Sequence, residues 1–213
     1  MSITLENVSK TIRKTPVLTD VSITFKEGYI TGLKGINGSG KTMIMRVVAG
    51  LIRPTQGKVM IDGKQLWKDL SFPGDIGLLI ENPAFLPYLT GKENLTLLAD
   101  IKRKADASRI ADILAQVGLE PDSPKKFEHY SLGMKQRLGI AAAVMEHPHI
   151  LVLDEPTNAL DTRGIESLKG ILREEKLRNS IIILSCHDYS ILKELSDEIY
   201  SLEEGRVIGH EIV

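Results

Sequence analysis

An α/β fold on a mostly parallel sheet is predicted by three features of this sequence. Strand-like apolar runs alternate with helical patterns, the arrangement of parallel strands joined by crossover helices. One strand, at 29–34, leads into Gly35-Ile36-Asn37-Gly38-Ser39-Gly40-Lys41-Thr42 and then a helix, the order a phosphate-binding loop requires. Between about 83 and 147 the texture is helical, which reads as an insertion into a single α/β domain spanning residues 1–213.

The elements follow in order. Residues 3–8 and 20–26 alternate apolar and polar like half-buried strands. Lys41 to Ala49 forms a helix that Gly50 can terminate. Pro54-Thr55-Gln56-Gly57 reads as a turn, and Asp62-Gly63 after Val59-Met60-Ile61 as a hairpin. Residues 76–80 are short, continuous and apolar, a buried strand. Thr90-Gly91-Lys92-Glu93 has capping-box spacing and starts a helix with Leu95, Leu98 and Ala99 inward. Ile110, Ile113, Leu114 and Val117 give a second apolar face ended by Gly118. A third helix runs from about Ser131 to His147 and stops at Pro148. Strands return at 149–153, 181–185, 198–202 and 206–208, with a helix around 162–177.

Composition excludes several classes. A net charge of −1 over 213 residues, with acids and bases interspersed, offers no basic face to nucleic acid or anionic lipid. Lys102-Arg103-Lys104, the densest basic run, reads as a solvated helix end. The single cysteine, Cys186, ends an apolar strand, which predicts a buried, inert thiol and no internal disulfide. No apolar stretch reaches the ~18–20 residues of a membrane span, and Met1 to Glu6 lacks the pattern of a signal peptide. These features predict a soluble, intracellular chain.

Three stations carry chemistry. In the glycine-rich loop, backbone N–H groups from Gly35, Asn37, Gly38, Ser39, Gly40 and Met43 can wrap phosphates. Lys41 adds a point charge, and the Thr42 hydroxyl can coordinate Mg²⁺. The apolar strand Ile150-Leu151-Val152-Leu153 ends in Asp154, able to hold Mg²⁺, and Glu155, able to deprotonate an attacking water. Between them, Tyr130-Ser131-Leu132-Gly133-Met134-Lys135-Gln136-Arg137 opens a helix with small residues and leaves backbone N–H groups for an anion.

Loop, serine-glycine helix start and acidic strand end, in this order, resemble the ATP-binding cassette (ABC) ATPases from about Leu5 to about Gly205. The resemblance implies a P-loop NTPase core of mostly parallel sheet, with an antiparallel β subdomain and a helical insertion. It implies ATP and Mg²⁺ as ligands, and Glu155 and the switch histidine His187 as catalytic. It implies that Ser131 and Gly133 bind the γ-phosphate held by a second subunit, and that Pro156-Thr157-Asn158-Ala159-Leu160-Asp161 is the loop through which Asp161 approaches nucleotide. Thr42, Asp154 and Glu81 are the implied metal ligands. Glu81 stands where most members carry glutamine, and it also counts among the nucleotide-binding positions. With Leu89 to Leu95 and Tyr130 to Met134 it resembles the bacitracin and lantibiotic self-protection exporters. Ile12 falls where the family stacks an aromatic on adenine, and Met43 replaces a second hydroxyl.

What the resemblance implies as function is ATP hydrolysis that powers a separate integral membrane permease. The export of a peptide antibiotic is implied, by a homodimer or heterodimer peripheral to the cytoplasmic face of the cell membrane, with no nucleic acid partner. The segment Phe85-Leu86-Pro87-Tyr88-Leu89 is a candidate dock for the permease. The alternative is a soluble or regulatory cassette not coupled to transport. Against repair ATPases, which carry a long coiled coil there, only ninety positions separate Lys41 from Ser131. A GTP switch would need an Asn-Lys-x-Asp segment, which this sequence lacks.

Overall fold

The computed structural model describes residues 1–213 and contains two sheets. β1 (Ser2–Ile12) and β2 (Thr15–Lys26) form a long antiparallel hairpin, and β4 (Gln56–Ile61) pairs with the other edge of β1 before turning into β5 (Lys64–Gln65). The hairpin strands run well beyond 3–8 and 20–26. Arg13 and Lys14 turn the chain at φ 46° and 69°, the left-handed pair that matches strand twist in a two-residue loop. Neither is Asn or Gly, so the sequence gives no signal of this turn. The expected turn at 54–57 is also shifted, because Gln56 and Gly57 already lie in β4. Gly57, at φ 79°, sits opposite the register shift between Glu6 and Ser9, where a Cβ would lie 2.4 Å from the Asn7 carbonyl oxygen. It is a bulge glycine, not a turn glycine.

The second sheet is the centre of the molecule. It comprises β3 (Ile30–Lys34), β6 (Ile76–Leu79), β7 (Ile150–Leu153), β8 (Ile181–Ser185), β9 (Glu198–Glu203) and β10 (Arg206–Ile212), in the order β10-β9-β3-β8-β7-β6. All neighbours are parallel except β10 and β9. β7 and β8 are buried at every position, which is why they read as unbroken apolar runs. Their alternate residues face two cores. Leu151, Leu153, Ile182 and Leu184 pack on α2 (Gly91–Lys102), α3 (Ala107–Gln116), α4 (Leu132–Val144), α5 (Thr162–Leu177) and α6 (Tyr189–Leu195). Ile150, Val152, Ile181 and Ile183 pack on α1 (Lys41–Val48) and the antiparallel sheet. The main sheet is the middle layer.

α2 to α4 lie between β6 and β7. Thr90 caps α2 through a full capping box, its own N–H donating to Glu93 at 2.6 Å. Leu95 and Ala99 are buried, but Leu98 is 38% exposed and does not share their face. α4 begins after Ser131 yet ends at Val144, short of Pro148, because Met145 caps it and His147 already turns at φ 50°. α6 is absent from the sequence-based expectation. At seven residues, capped by Asp188, it is too short to display a helical period.

Candidate functional site

The loop from β3 to α1 leaves backbone donors unspent. Gly38 and Gly40 adopt φ 83° and 107°, and Gly40 occupies the N-cap of α1 with no side chain capping the first turn. The first N–H groups of a helix lack intrahelical acceptors, so an uncapped start is an anion site. Lys41 arches back, its Nζ donating to the carbonyls of Gly35 at 2.7 Å and Ile36 at 3.2 Å. The turn after β9 clamps this loop from outside, since Gly205 donates its N–H to the Ser39 carbonyl and accepts from the Thr19 N–H. Met43 and Asn37 also line the cavity of about 690 Å³ above the loop.

The acidic pair sits at the mouth of the same cavity. Thr42 Oγ1 donates to Asp154 Oδ2 at 2.6 Å, and Ser185 Oγ donates to Asp154 Oδ1 at 2.7 Å. Ser185 Oγ also accepts the Glu155 N–H at 2.9 Å. Gln136 on α4 donates to the Glu155 carbonyl at 3.1 Å. Glu155 therefore stands at φ 51° on a backbone held from two elements, β8 through Ser185 and α4 through Gln136. Both of its carboxylate oxygens are buried without a hydrogen bond, and His187 Nε2 lies 3.6 Å from one of them. A carboxylate with no hydrogen-bond partner keeps its acceptor capacity for a substrate proton. The order of the sequence gave no reason to link Ser185 or Gln136 to Glu155; each follows or joins a quoted motif, but its partner lies far along the chain.

Other expected site residues lie apart from this centre. Glu81 is half of an exposed ion pair with Arg46 of α1, although it also lines a second cavity, of about 600 Å³, shared with Asp154 and Glu155. Ser131 spends its hydroxyl on the N-cap of α4, accepting from the Met134 N–H at 3.3 Å, and lines neither cavity. Leu132 beside it is 66% exposed. At Gly133 a Cβ would stand 2.7 Å from the Ala159 carbonyl oxygen, so this position admits glycine for close approach of the 156–161 loop. Asp161 caps α5 and pairs with Arg137 at 2.6 Å. Ile12 is at the hairpin tip outside the cavity, whose far wall is Thr15, Pro16 and Val17 instead. Cys186 is buried, and burial pushes its thiol pKa up.

The candidate dock divides. Phe85 is half-buried against the helical core, edge to face with Phe127 at 5.2 Å between ring centres. Leu86 and Tyr88 are exposed, the latter at 62%. Asn94, almost fully buried, pins the loop by accepting the Leu86 N–H and donating to the carbonyls of Leu86, Leu89 and Thr90. The exposed Leu97, Leu98 and Ile101 extend the apolar surface along α2.

Nucleotide with a divalent cation fits these residues. The glycine cradle faces an anion, and Thr42 with Asp154 is a hard-oxygen pair of the kind that leaves the remaining positions of Mg²⁺ to phosphate oxygens and water. No group of three or more His, Cys, Asp or Glu side chains forms a closed metal cage. No helix is long and apolar enough to cross a membrane.

A family model described as "ABC transporter" matches residues 18–158. The uncharacterized ABC transporter ATP-binding protein YybJ of Bacillus subtilis (strain 168) is 46% identical over 207 residues, 97% of this chain and 95% of that protein. The bacitracin transport ATP-binding protein BcrA of Enterococcus faecalis is 38% identical over 205 residues, 95% of this chain and 67% of that protein. Among solved structures, the dimeric bacterial ABC transporter cassette MJ0796 superposes with a TM-score of 0.89 at 28% identity, covering 99% of this chain and 98% of that one.

Proposed function

The chain belongs to the ABC transporter family, and from that premise we propose that it hydrolyses ATP to power a membrane permease, as one nucleotide-binding domain spanning residues 1–213. The observation that carries this reading is the Glu155 carboxylate, buried, unbonded and fixed beside Asp154 at the wall of the phosphate-loop cavity. In this reading Gly38, Gly40 and Lys41 bind the β- and γ-phosphates through N–H groups and the ammonium. Thr42 and Asp154 hold Mg²⁺, which when bound neutralises charge on the phosphate oxygens. Glu155 accepts the proton of the attacking water, and His187 orients the reacting phosphate from the other side.

Ser131 and Gly133 serve the nucleotide of a second cassette, which the dimeric cassette among the structural neighbours supports. The partner copy is the same chain or a paralogue. The permease docks on Leu86, Tyr88 and the outer face of α2, where large apolar side chains lie exposed together. In this reading the chain works at the cytoplasmic face of the cell membrane. Similarity to a bacitracin transport protein and the glutamate at position 81 support export of a peptide antibiotic.

Phosphate release by the purified chain with ATP and Mg²⁺ tests the hydrolysis. Turnover that stays at the buffer rate, both alone and with the co-expressed permease, would overturn it in favour of a regulatory cassette. Expression of the chain with its permease should raise bacitracin or lantibiotic resistance in a sensitive host; unchanged resistance to both classes removes the substrate proposal while leaving the ATPase reading intact.

A further inference from the structure

Glu81 is the least settled carboxylate of the site, and its partner is the informative residue. The chain leaves β6 and turns at Glu81 with φ 61°. Glu81 then lines the cavity that Asp154 and Glu155 also line. Three acidic residues thus share one space whose lining contains no lysine or arginine. Like charges brought close repel one another. The structure instead gives the carboxylate to Arg46. Arg46 lies one helical turn beyond Thr42 on α1, so the guanidinium is fixed on the same rigid element as the phosphate and metal ligands.

We propose that Arg46 is a positioning residue that holds the Glu81 carboxylate in an ion pair on α1, so that a divalent cation must take Glu81 from a guanidinium before the site is complete. The inference rests on the nucleotide-binding reading above. Both partners are partly solvated, with side-chain exposures of 30% and 62%. An ion pair of this kind is weak and screened by salt, which suits a latch that opens whenever a stronger cation arrives. A divalent ion between Thr42, Asp154 and phosphate oxygens reverses the local charge balance and turns repulsion of Glu81 into attraction. Glutamate rather than glutamine matters here, since only a charged side chain is worth the same contest to both cations.

The test is a double-mutant cycle read by nucleotide binding, without turnover. A fluorescent non-hydrolysable ATP analogue is titrated at a series of Mg²⁺ concentrations against wild type, Arg46→Gln, Glu81→Gln and the double variant. Arg46→Gln should lower the Mg²⁺ concentration for half-maximal binding by up to about fivefold, the upper end for one exposed charge pair. The same substitution in the Glu81→Gln background should change nothing, and Arg46→Lys should stay near wild type. Equal shifts in both backgrounds would overturn the latch, since Arg46 would then act through α1 itself; so would no shift in either. If Arg46→Gln fails to fold, salt replaces it. Raising NaCl from about 50 to 500 mM should lower the Mg²⁺ requirement of wild type relative to Glu81→Gln, and parallel salt responses would defeat the proposal. Wild-type protein that binds no nucleotide at any Mg²⁺ concentration would instead remove the underlying reading, and the latch with it.

Discussion

The helix starts at α1 and α4 are both built from glycine and hydroxyl residues, and they end up in opposite circumstances. At α1 the cap is Gly40, no side chain satisfies the first turn, and Lys41, Thr42, Asp154 and Glu155 surround the vacant donors. At α4 the Ser131 hydroxyl turns back on its own helix, Leu132 is largely exposed, and Ser131 and Gly133 line neither cavity. The first start is a site finished within one chain. The second is an outward face with glycine at the one position where the 156–161 loop comes close. The contrast teaches where a second copy would be needed: donors that a chain leaves facing outward, beside a loop packed to backbone distance, are of use only to a ligand another chain brings.

The largest effect should come from the finished half. Glu155→Gln keeps shape and removes the base, so turnover should fall by about 10²–10⁴-fold. Binding should persist, giving an ATP-dependent dimer on gel filtration. Near-normal turnover would exclude Glu155 as the base.

Ser131→Ala tests the outward half. Loss of one donor to a developing charge costs on the order of 10²-fold in turnover, and loss of the α4 cap about 1 kcal/mol in stability. Nucleotide affinity of the isolated monomer should not change. If affinity and turnover fall together, the α4 start serves its own chain's nucleotide, and the comparison between the two halves fails.

Substitutions in the 85–89 loop sharpen the boundary between core and interface. Phe85→Ala should destabilise the domain by about 2 kcal/mol, below the range for a fully buried phenylalanine. Tyr88→Ala should leave Tm within about a degree yet lose co-purification with the permease. The reverse pattern would move the dock elsewhere.

The smallest effect concerns the junction of the helical insertion with β6 and β7. Asp75, just before β6, is bonded by Lys104 at 2.9 Å and by His149 at 3.0 Å, with Lys102 at 3.6 Å. Burial by itself would push the Asp75 carboxyl up, but the bonds and charges of these neighbours outweigh it and hold its pKa below the ordinary value. The folded form therefore favours the carboxylate. Its contribution is complete above the unfolded pKa of about 4 and is lost as pH falls through the lower folded value. The Tm gap between wild type and Asp75→Asn should be constant from about pH 7 to 5 and close below about pH 4. A gap that does not narrow at all between about pH 4 and 2 would mean that packing, not charge, holds this junction.

The phosphate loop, the buried parallel strands and the Thr90 capping box were legible because each is written in contiguous residues. Glycine spacing, unbroken apolar runs and a hydroxyl three residues before a glutamate act over a single turn or strand, and local sterics decide them. The Asp62-Gly63 hairpin was legible for the same reason. Glycine alone was less informative: Gly57 looked like turn chemistry, and only the β1 bulge it packs against shows why it is there.

What the sequence determined about this protein is thus its local grammar: one α/β core, a glycine loop before a helix, and two acids at a strand end. The tertiary structure decided which of these residues meet. Ser185 joins Asp154 and Glu155 across 31 and 30 positions, Arg46 takes Glu81 across 35, and Gln136 reaches Glu155 across 19. Phe85 turned to the core and Tyr88 to solvent only once Asn94 fixed the loop between them. The physical reason is common to all. A hydrogen bond or ion pair depends on a few tenths of an ångström between groups far apart in the chain, and that separation is set by how the sheet and helices pack, which no run of neighbouring residues encodes.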